Sequence, residues 1–163
     1  MKYRWLLALS LTGLSAFAGR AFGNAASQDA DGLRLLMDDL QLLRTLTLER
    51  LQPMGNALME MKSRSLLLTG ELMRADGTLS PERAWRRSTE SESRLNDTVK
   101  EEIAALFASV EALGRKEHDL RYAQTIARLG KWEEELRSAG REKTKLYVSL
   151  GALIGLAVGI LLL

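Results

Sequence analysis

The sequence predicts an all-α protein: a bundle of about six helices, preceded by an apolar amino-terminal segment and followed by a carboxyl-terminal transmembrane helix. Three observations predict this class. Apolar residues recur every three or four positions over most of the chain, as on the buried face of a helix. No stretch of useful length alternates apolar and polar residues with the period of a strand. Glycine, proline and aspartate interrupt the helical pattern at a few places, where we expect turns.

The composition fits a folded protein and argues against several functional classes. The 163 residues are 46% hydrophobic and 27% charged, which suits one domain with one core. Residues 24–145 hold all 21 acidic residues and 20 of the 23 basic ones, so this window carries a net charge of −1. A nearly neutral domain without a basic stripe is not expected to bind nucleic acid. The chain has no cysteine, which excludes disulfides, thiol nucleophiles and thiolate metal sites.

Residues 1–23 form an apolar segment that is either a cleaved signal peptide or a membrane anchor. Lys2 and Arg4 precede about 15 apolar residues, a length typical of signal peptides and short for a membrane span. Two triplets of small and aromatic residues near its end offer cleavage sites. If the segment is retained as an anchor, we expect Arg20 to extend to the membrane interface.

Residues 33–145 are the predicted helical bundle domain, and a polar linker at 24–32 precedes it. In the linker, Asp31 is expected to cap the first helix, which runs from Leu33 to Leu51. Pro53 ends that helix and opens a short second one, because proline is tolerated only in the first turn of a helix.

The clearest turn signal in the sequence separates the third helix from the fourth. The third helix is expected to bury Leu68 and Leu72. The Asp-Gly pair at 76–77 then predicts a turn. Ser80 followed by Pro81 predicts a helix cap with proline at the first helical position.

Two stronger helices follow. Thr98 and Glu101 have the spacing of a capping box for the fifth helix, whose apolar positions run from Val99 to Leu113. The sixth helix is expected to begin near Lys116. The residues expected to face inward on it are Tyr122, Ile126, Leu129, Leu136 and Ala139. The helix then continues without a proline into the final apolar segment.

Residues 146–163 are predicted to form the transmembrane helix. About 18 apolar or small residues span roughly 27 Å as a helix, which matches the hydrocarbon core of a bilayer. Arg137, Arg141, Lys143 and Lys145 precede this segment and no basic residue follows it, so the positive-inside rule places the bundle in the cytosol. The amino-terminal segment, which has two basic residues in front, indicates the opposite orientation.

Small residues at every fourth position predict close helix packing in both apolar segments. They are Gly151, Gly155 and Gly159 in the carboxyl-terminal segment and Ser15, Gly19 and Gly23 in the amino-terminal one. Residues four apart share a helix face, and small side chains there let another helix approach closely. We expect the two segments to pack together, or copies to do so between protomers. Ordinary tolerance of glycine in membrane helices is the alternative.

No set of catalytic or metal-ligating residues is predicted, and no cofactor. His118 is the single histidine, and its carboxylate neighbours would point to different faces of a helix. Gly130-Lys131 lacks the other residues of a phosphate-binding loop. Trp85 lies in a short polar helix and is either a wedge into the bundle or a protein-interface anchor, of which the wedge is favoured.

Several motifs follow one another in the order of a known family. In the carboxyl third, Leu113-Gly114 precedes a long charged helix, which leads through a Tyr-x-x-Leu-Gly sequence from Tyr147 into the glycine-rich end. The Pro-Met-Gly-Asn-Ala-Leu motif after the first helix and the Ala84-Trp85 pair belong to the same pattern. Together these motifs resemble the stage III sporulation protein AB family, and the likeness covers nearly the whole chain.

The resemblance implies a non-enzymatic membrane platform or adaptor of the channel-like complex between mother cell and forespore in endospore-forming bacteria. Its helical domain would be similar to that of the type II secretion platform protein and would lie in the mother-cell cytosol, at the membrane that faces the forespore. The expected partners are the membrane, a secretion-type ATPase, other membrane subunits and further copies of the chain, with no nucleic acid and no small-molecule substrate. The alternative is an exported helical binding domain, anchored at its carboxyl end after signal-peptide cleavage.

Overall fold

A computed structural model describes residues 28–93, 95–110 and 114–162; within α6 the side chains at 147, 151, 152, 154–156 and 158–162 are outside this description. Over these ranges the chain forms six α-helices and no strand, which confirms the all-α class. The helices are α1 (28–44), α2 (Met54–Leu58), α3 (Arg64–Ala75), α4 (Pro81–Thr89), α5 (Asp97–Ser109) and α6 (Arg115–Leu162), with a π-helical turn at Thr45–Glu49 continuing α1. The chain divides into two compact units: Asp31–Glu133, and a second that contains α6 from Glu134 onward.

The first unit packs around one apolar core. Along the chain, α2 packs on α3, α3 on α4 and α4 on α5. The largest buried side chains come from α1, the π-helical turn, α2, α3, α4, α5 and α6: Leu40, Leu43, Leu46, Leu58, Leu66, Trp85, Ile103, Leu106, Phe107, Tyr122 and Leu129. The apolar spacing of three and four that predicts helices is therefore also the spacing that fills this core.

The first helix begins earlier than predicted. The helix already includes residues 28–31, so Asp31 lies inside α1 and the prediction that it caps the helix is wrong. The predicted linker at 24–32 gives way to helix from residue 28, since residues 28–31 contain neither proline nor glycine. At the other end, Pro53 precedes α2 as predicted, and Leu51, between the π-helical turn and Pro53, has a left-handed backbone with φ of 55°.

The third helix turns small residues towards the core instead of the predicted leucines. Ser65, Leu66, Thr69 and Gly70 are buried in α3, whereas Leu68 and Leu72 are only partly buried. A Cβ atom at Gly70 would lie 2.8 Å from Leu58 Cβ, so α2 approaches α3 more closely than any other residue at this position would allow.

Two helix caps test the sequence predictions directly. The Ser80–Pro81 prediction is confirmed: Ser80 Oγ accepts a hydrogen bond from the Arg83 N–H at 3.4 Å, and Pro81 opens α4. The capping box at Thr98 is wrong. Asn96 caps α5 instead, accepting from the Thr98 N–H at 3.0 Å.

The sixth helix runs for 48 residues, from Arg115 to Leu162. In its bundle part, Tyr122 and Leu129 are buried as predicted, but Leu136 and Ala139 beyond it are exposed, which corrects the prediction for that end of the face. Within the described residues, no helix combines the length and the apolarity required to cross a membrane. The predicted transmembrane helix at 146–163 is thus not supported by this structure.

Candidate interaction surfaces

The polar groups inside the bundle tie helices together and do not converge on one point. Among the residues that the structure describes, no group of three or more histidine, aspartate or glutamate side chains could hold a metal ion. Asp39, which is 3% exposed, accepts hydrogen bonds from the backbone N–H groups of Lys62 (3.0 Å) and Ser63 (2.5 Å) just ahead of α3. This carboxylate therefore fixes the start of a helix, as an N-terminal cap does.

Glu102 and Asp119 form ion pairs that connect α6 to α5 and α1. The Glu102 carboxylate on α5 is 11% exposed and accepts from Thr125 Oγ1 at 3.1 Å and from Arg128 Nη1 at 2.8 Å, both on α6. Asp119 accepts from Arg44 Nε of α1 at 2.5 Å. The hydrogen bond from Arg44 lowers the pKa of Asp119, as expected for a carboxylate beside a cation.

His118 is buried, with 6% of its surface exposed, and packs against Tyr122 one turn further along α6. The two ring centres are 5.1 Å apart at an angle of 45°. Neither His118 Nε2 nor Tyr122 Oη has a hydrogen-bond partner within the described ranges. Burial lowers the pKa of His118, and it raises the pKa of Tyr122 to about 12. At neutral pH both rings are uncharged and act as core side chains.

Trp85 is the centre of the contact between α4 and α5. Its side chain is completely buried, its Nε1–H donates to the backbone oxygen of Lys100 at 2.9 Å, and its ring meets Phe107 edge-on at 5.9 Å between centres. Of the two roles predicted for Trp85, the structure shows the wedge. The side chain is 0% exposed and packs as a core residue, and the anchor role stays a prediction.

Arg86 forms a second, exposed link between the same two helices. Its Nη1 and Nη2 donate to the two carboxylate oxygens of Glu101 at 2.7 and 3.0 Å, and its Nε donates to Glu82 at 2.9 Å. The guanidinium lowers the pKa of Glu101. The bidentate geometry gives this bridge direction, although its exposure to water keeps its contribution to stability small.

We call the surface over Trp85 the α4–α5 corner. It is a shallow depression of about 440 Å³, lined by Arg83, Trp85, Arg86, Arg87, Thr89, Glu90, Lys100 and Glu101. Arg83 and Arg87 lie one turn apart and are exposed, and neither forms an ion pair with a described carboxylate. The sequence signal for this surface is the group of three arginines around Trp85 in a short polar helix.

The second candidate surface is α6 beyond Glu134. The predicted topology-setting residues all lie on this helix: Arg137 is partly exposed, and Arg141, Lys143 and Lys145 are exposed. Directly after them, four apolar side chains are more than half exposed: Leu146, Val148, Leu150 and Leu153. A run of exposed apolar side chains of this kind is typical of a surface that another phase or partner covers.

The predicted glycine packing stays a prediction. Gly151, Gly155 and Gly159 belong to the α6 helix, but their packing is outside the description. Ser15, Gly19 and Gly23 lie outside the described residues altogether.

Comparison with known proteins identifies the family. The family model for stage III sporulation protein AB matches residues 4–163. The chain belongs to this family. The match confirms the resemblance seen in the sequence motifs, and it indicates a role in stage III of sporulation for this AB-family protein. No curated protein and no solved structure matches the chain.

In this AB-family protein the two surfaces differ in chemistry. The α4–α5 corner offers guanidinium groups over the buried Trp85 side chain. The outer part of α6 offers ammonium and guanidinium groups followed by leucines. The first suits carboxylates on another protein, and the second suits a medium that is charged at its edge and apolar inside.

Proposed function

We propose that this AB-family protein is a non-enzymatic membrane platform or adaptor in a sporulation complex between mother cell and forespore. In this proposal its carboxyl-terminal segment holds it at the membrane, its bundle lies in the mother-cell cytosol, and the bundle couples a secretion-type ATPase to the membrane assembly. Family membership supports the sporulation context.

One observation carries the proposal: a single helix contributes to the bundle core and also bears the exposed leucines. Tyr122 and Leu129 of α6 are completely buried, whereas Leu146, Leu150 and Leu153 of the same helix are 66%, 56% and 65% exposed. Burying a leucine side chain contributes roughly 1.5–3 kcal/mol. The exposed row, together with the apolar sequence that continues to residue 163, therefore favours attachment to a bilayer.

The adaptor role is supported by what the polar residues do. Glu102, Asp119 and Asp39 are each engaged in holding helices together, so they are not available as acid or base for a substrate. The exposed guanidinium groups of Arg83 and Arg87 are available for contact. We place the contact with the ATPase at the α4–α5 corner, because arginine is well suited to pair with carboxylates at protein interfaces.

Membrane attachment and orientation are tested together. Full-length protein should sediment with membranes after lysis without detergent, whereas a chain ending at Lys145 should remain in the aqueous fraction. Gly77→Cys introduces a single thiol at an exposed turn, where a Cβ meets no other atom within 4 Å. Protection of this thiol from a membrane-impermeant reagent in intact cells is expected. Labelling there would instead favour the exported alternative, and full-length protein in the aqueous fraction would overturn attachment.

The partner contact is tested by charge reversal at the corner. Arg83→Glu with Arg87→Glu should reduce co-purification of the ATPase subunit from detergent-solubilised membranes by tenfold or more, since two interface cations become anions. The matched control is Arg34→Glu with Arg64→Glu, which reverses two exposed arginines on α1 and α3. Equal co-purification by both variants would remove the corner from the proposal.

A further inference from the structure

Three basic residues surround α6 immediately before its exposed apolar row. We define Arg141, Lys143 and Lys145 as the basic collar. All three side chains are exposed, and no ion pair among the described residues involves them. Leu146, which directly follows the collar, is 66% exposed. The change from charged to apolar surface therefore occurs within one residue.

The length of the collar matches the headgroup layer of a bilayer. At about 1.5 Å per residue, Arg141 and Lys145 are about 6 Å apart along the helix axis. A bilayer about 40–45 Å thick with a hydrocarbon core of about 30 Å leaves roughly 5–7 Å for the headgroups on each side. When Leu146 enters the hydrocarbon, the collar lies at the depth of the lipid phosphates.

The collar also presents its charges around the helix. Arg141 and Lys145 are one turn apart and share a face, while Lys143 lies on the opposite side. Glu142 is the single carboxylate in the ten residues before Leu146. Headgroups on both sides of the helix are thus within reach of a cation. A helix that docked on a protein would be expected to concentrate its charges on one face.

We propose that the basic collar binds the phosphate groups of anionic phospholipids, so that the protein prefers bilayers that contain them. This inference rests on the membrane attachment argued above and adds the class of lipid. Zwitterionic headgroups carry their own cation, so they gain little from the collar, whereas anionic headgroups gain about fivefold in affinity for each basic residue near the surface.

The experiment compares two lipids on the full-length chain. Protein in a mild detergent is titrated with phosphatidylglycerol or phosphatidylcholine, and the bound lipids are counted by native mass spectrometry. We expect at least a fivefold preference for phosphatidylglycerol, falling at high salt because of screening. The triple variant Arg141→Gln, Lys143→Gln, Lys145→Gln should lose this preference. The matched control, Arg34→Gln, Arg64→Gln, Arg74→Gln, removes three exposed charges from the bundle and should keep it.

Each contrary outcome has one meaning. Equal binding of the two lipids by the wild-type chain overturns the collar proposal and leaves membrane attachment, which sedimentation tests, intact. If inorganic phosphate at the same concentration displaces the bound phosphatidylglycerol, the collar is a site for free phosphate instead of lipid. This outcome also overturns the collar proposal. A collar variant that keeps its lipid preference but loses the ATPase subunit would assign these residues to a protein contact. A chain found in the aqueous fraction would remove both proposals.

Discussion

Trp85 illustrates how one side chain fixes the distance between two helices. The indole fills the space between α4 and α5 and directs its N–H to a backbone oxygen, so both the volume and the hydrogen bond require tryptophan. Replacing a buried tryptophan by alanine costs about 3–5 kcal/mol. We predict that Trp85→Ala lowers the Tm of the full-length protein in mild detergent, followed by circular dichroism at 222 nm, by more than about 10 °C.

The control for this variant is Arg83→Ala, which removes an exposed side chain from the same helix and should change the Tm by no more than a few degrees. If the Trp85→Ala protein keeps the wild-type Tm but no longer binds its partner, the role of Trp85 as a wedge between helices is wrong and its role as an interface anchor is favoured.

His118 gives the stability of the bundle a pH dependence that can be traced to one group. Burial lowers the pKa of His118 below its ordinary value of 6.5. As the pH falls below about 6.5, the unfolded chain takes up a proton that the folded chain does not, so the folded state loses stability until the pH passes the lowered pKa. We predict a Tm that is flat from pH 8 to 7 and decreases from pH 7 towards pH 5.

His118→Phe should remove this decrease, because the chain has no other histidine. The pKa values of Asp76, Glu101 and Asp119 are also shifted, but downward from ordinary values near 4, so these groups titrate below the window. An unchanged slope in the variant would show that another group is responsible.

At the scale of the helices, the sequence predicts which helices form, and in which order, better than it predicts their buried faces and their ends. Turns and caps that depend on one or two neighbouring residues can be predicted from the sequence, as Ser80–Pro81 shows. The cap of α5 is not, because Asn96, which competes with Thr98 for the same role, has an equally suitable side chain. Likewise Glu101 is engaged by Arg86 from another helix, and such a partner cannot be seen from local spacing.

The buried face of α3 shows a different kind of limit. The periodicity of leucine predicts Leu68 and Leu72 as core residues, but the face that packs is the one with Thr69 and Gly70. Small residues fit on this face because α2 approaches it closely. The two leucines lie at its edge and are only partly buried. Whether a helix neighbour approaches closely depends on the rest of the fold, which a hydropathy pattern does not contain.

Gly70 therefore gives a prediction at this scale. A Cβ at Gly70 would be 2.8 Å from Leu58 Cβ and 3.2 Å from the backbone oxygen of Gly55, so α2 must shift to admit it. Overpacking costs about 1–3 kcal/mol, more than the gain of up to about 1 kcal/mol in helix propensity from glycine to alanine. We predict that Gly70→Ala lowers the Tm by at least a few degrees.

Gly130→Ala is the matched control, because Gly130 also lies inside a helix but a Cβ there makes only an ordinary contact, 3.8 Å from Met37 Sδ. This variant should be as stable as the wild type or slightly more so. If both variants raise the Tm, the close approach of α2 and α3 is wrong.

At the scale of the whole molecule, the buried core and the exposed leucines belong to different units of the chain. The residues that fill the core belong to the unit Asp31–Glu133, and the exposed leucines belong to the unit that includes α6 from Glu134. The corner residues lie in the first unit and the basic collar in the second. The proposed partner contact and the proposed lipid contact can thus be changed independently.

This division predicts that thermal stability and membrane retention can each be lowered without changing the other. Gly70→Ala should lower the Tm without releasing the protein from membranes, because it leaves the apolar end of α6 unchanged. Leu150→Asp with Leu153→Asp should do the reverse, since both side chains are exposed and outside the core. A charge in the hydrocarbon costs about 2.5–3.5 kcal/mol, so two of them weaken attachment by several orders of magnitude. Sedimentation after detergent-free lysis and thermal unfolding in mild detergent, carried out on the same preparations, measure the two effects. If the double aspartate variant stays with the membrane, attachment does not depend on this row of leucines; if it unfolds with a lowered Tm, the outer part of α6 contributes to the bundle after all.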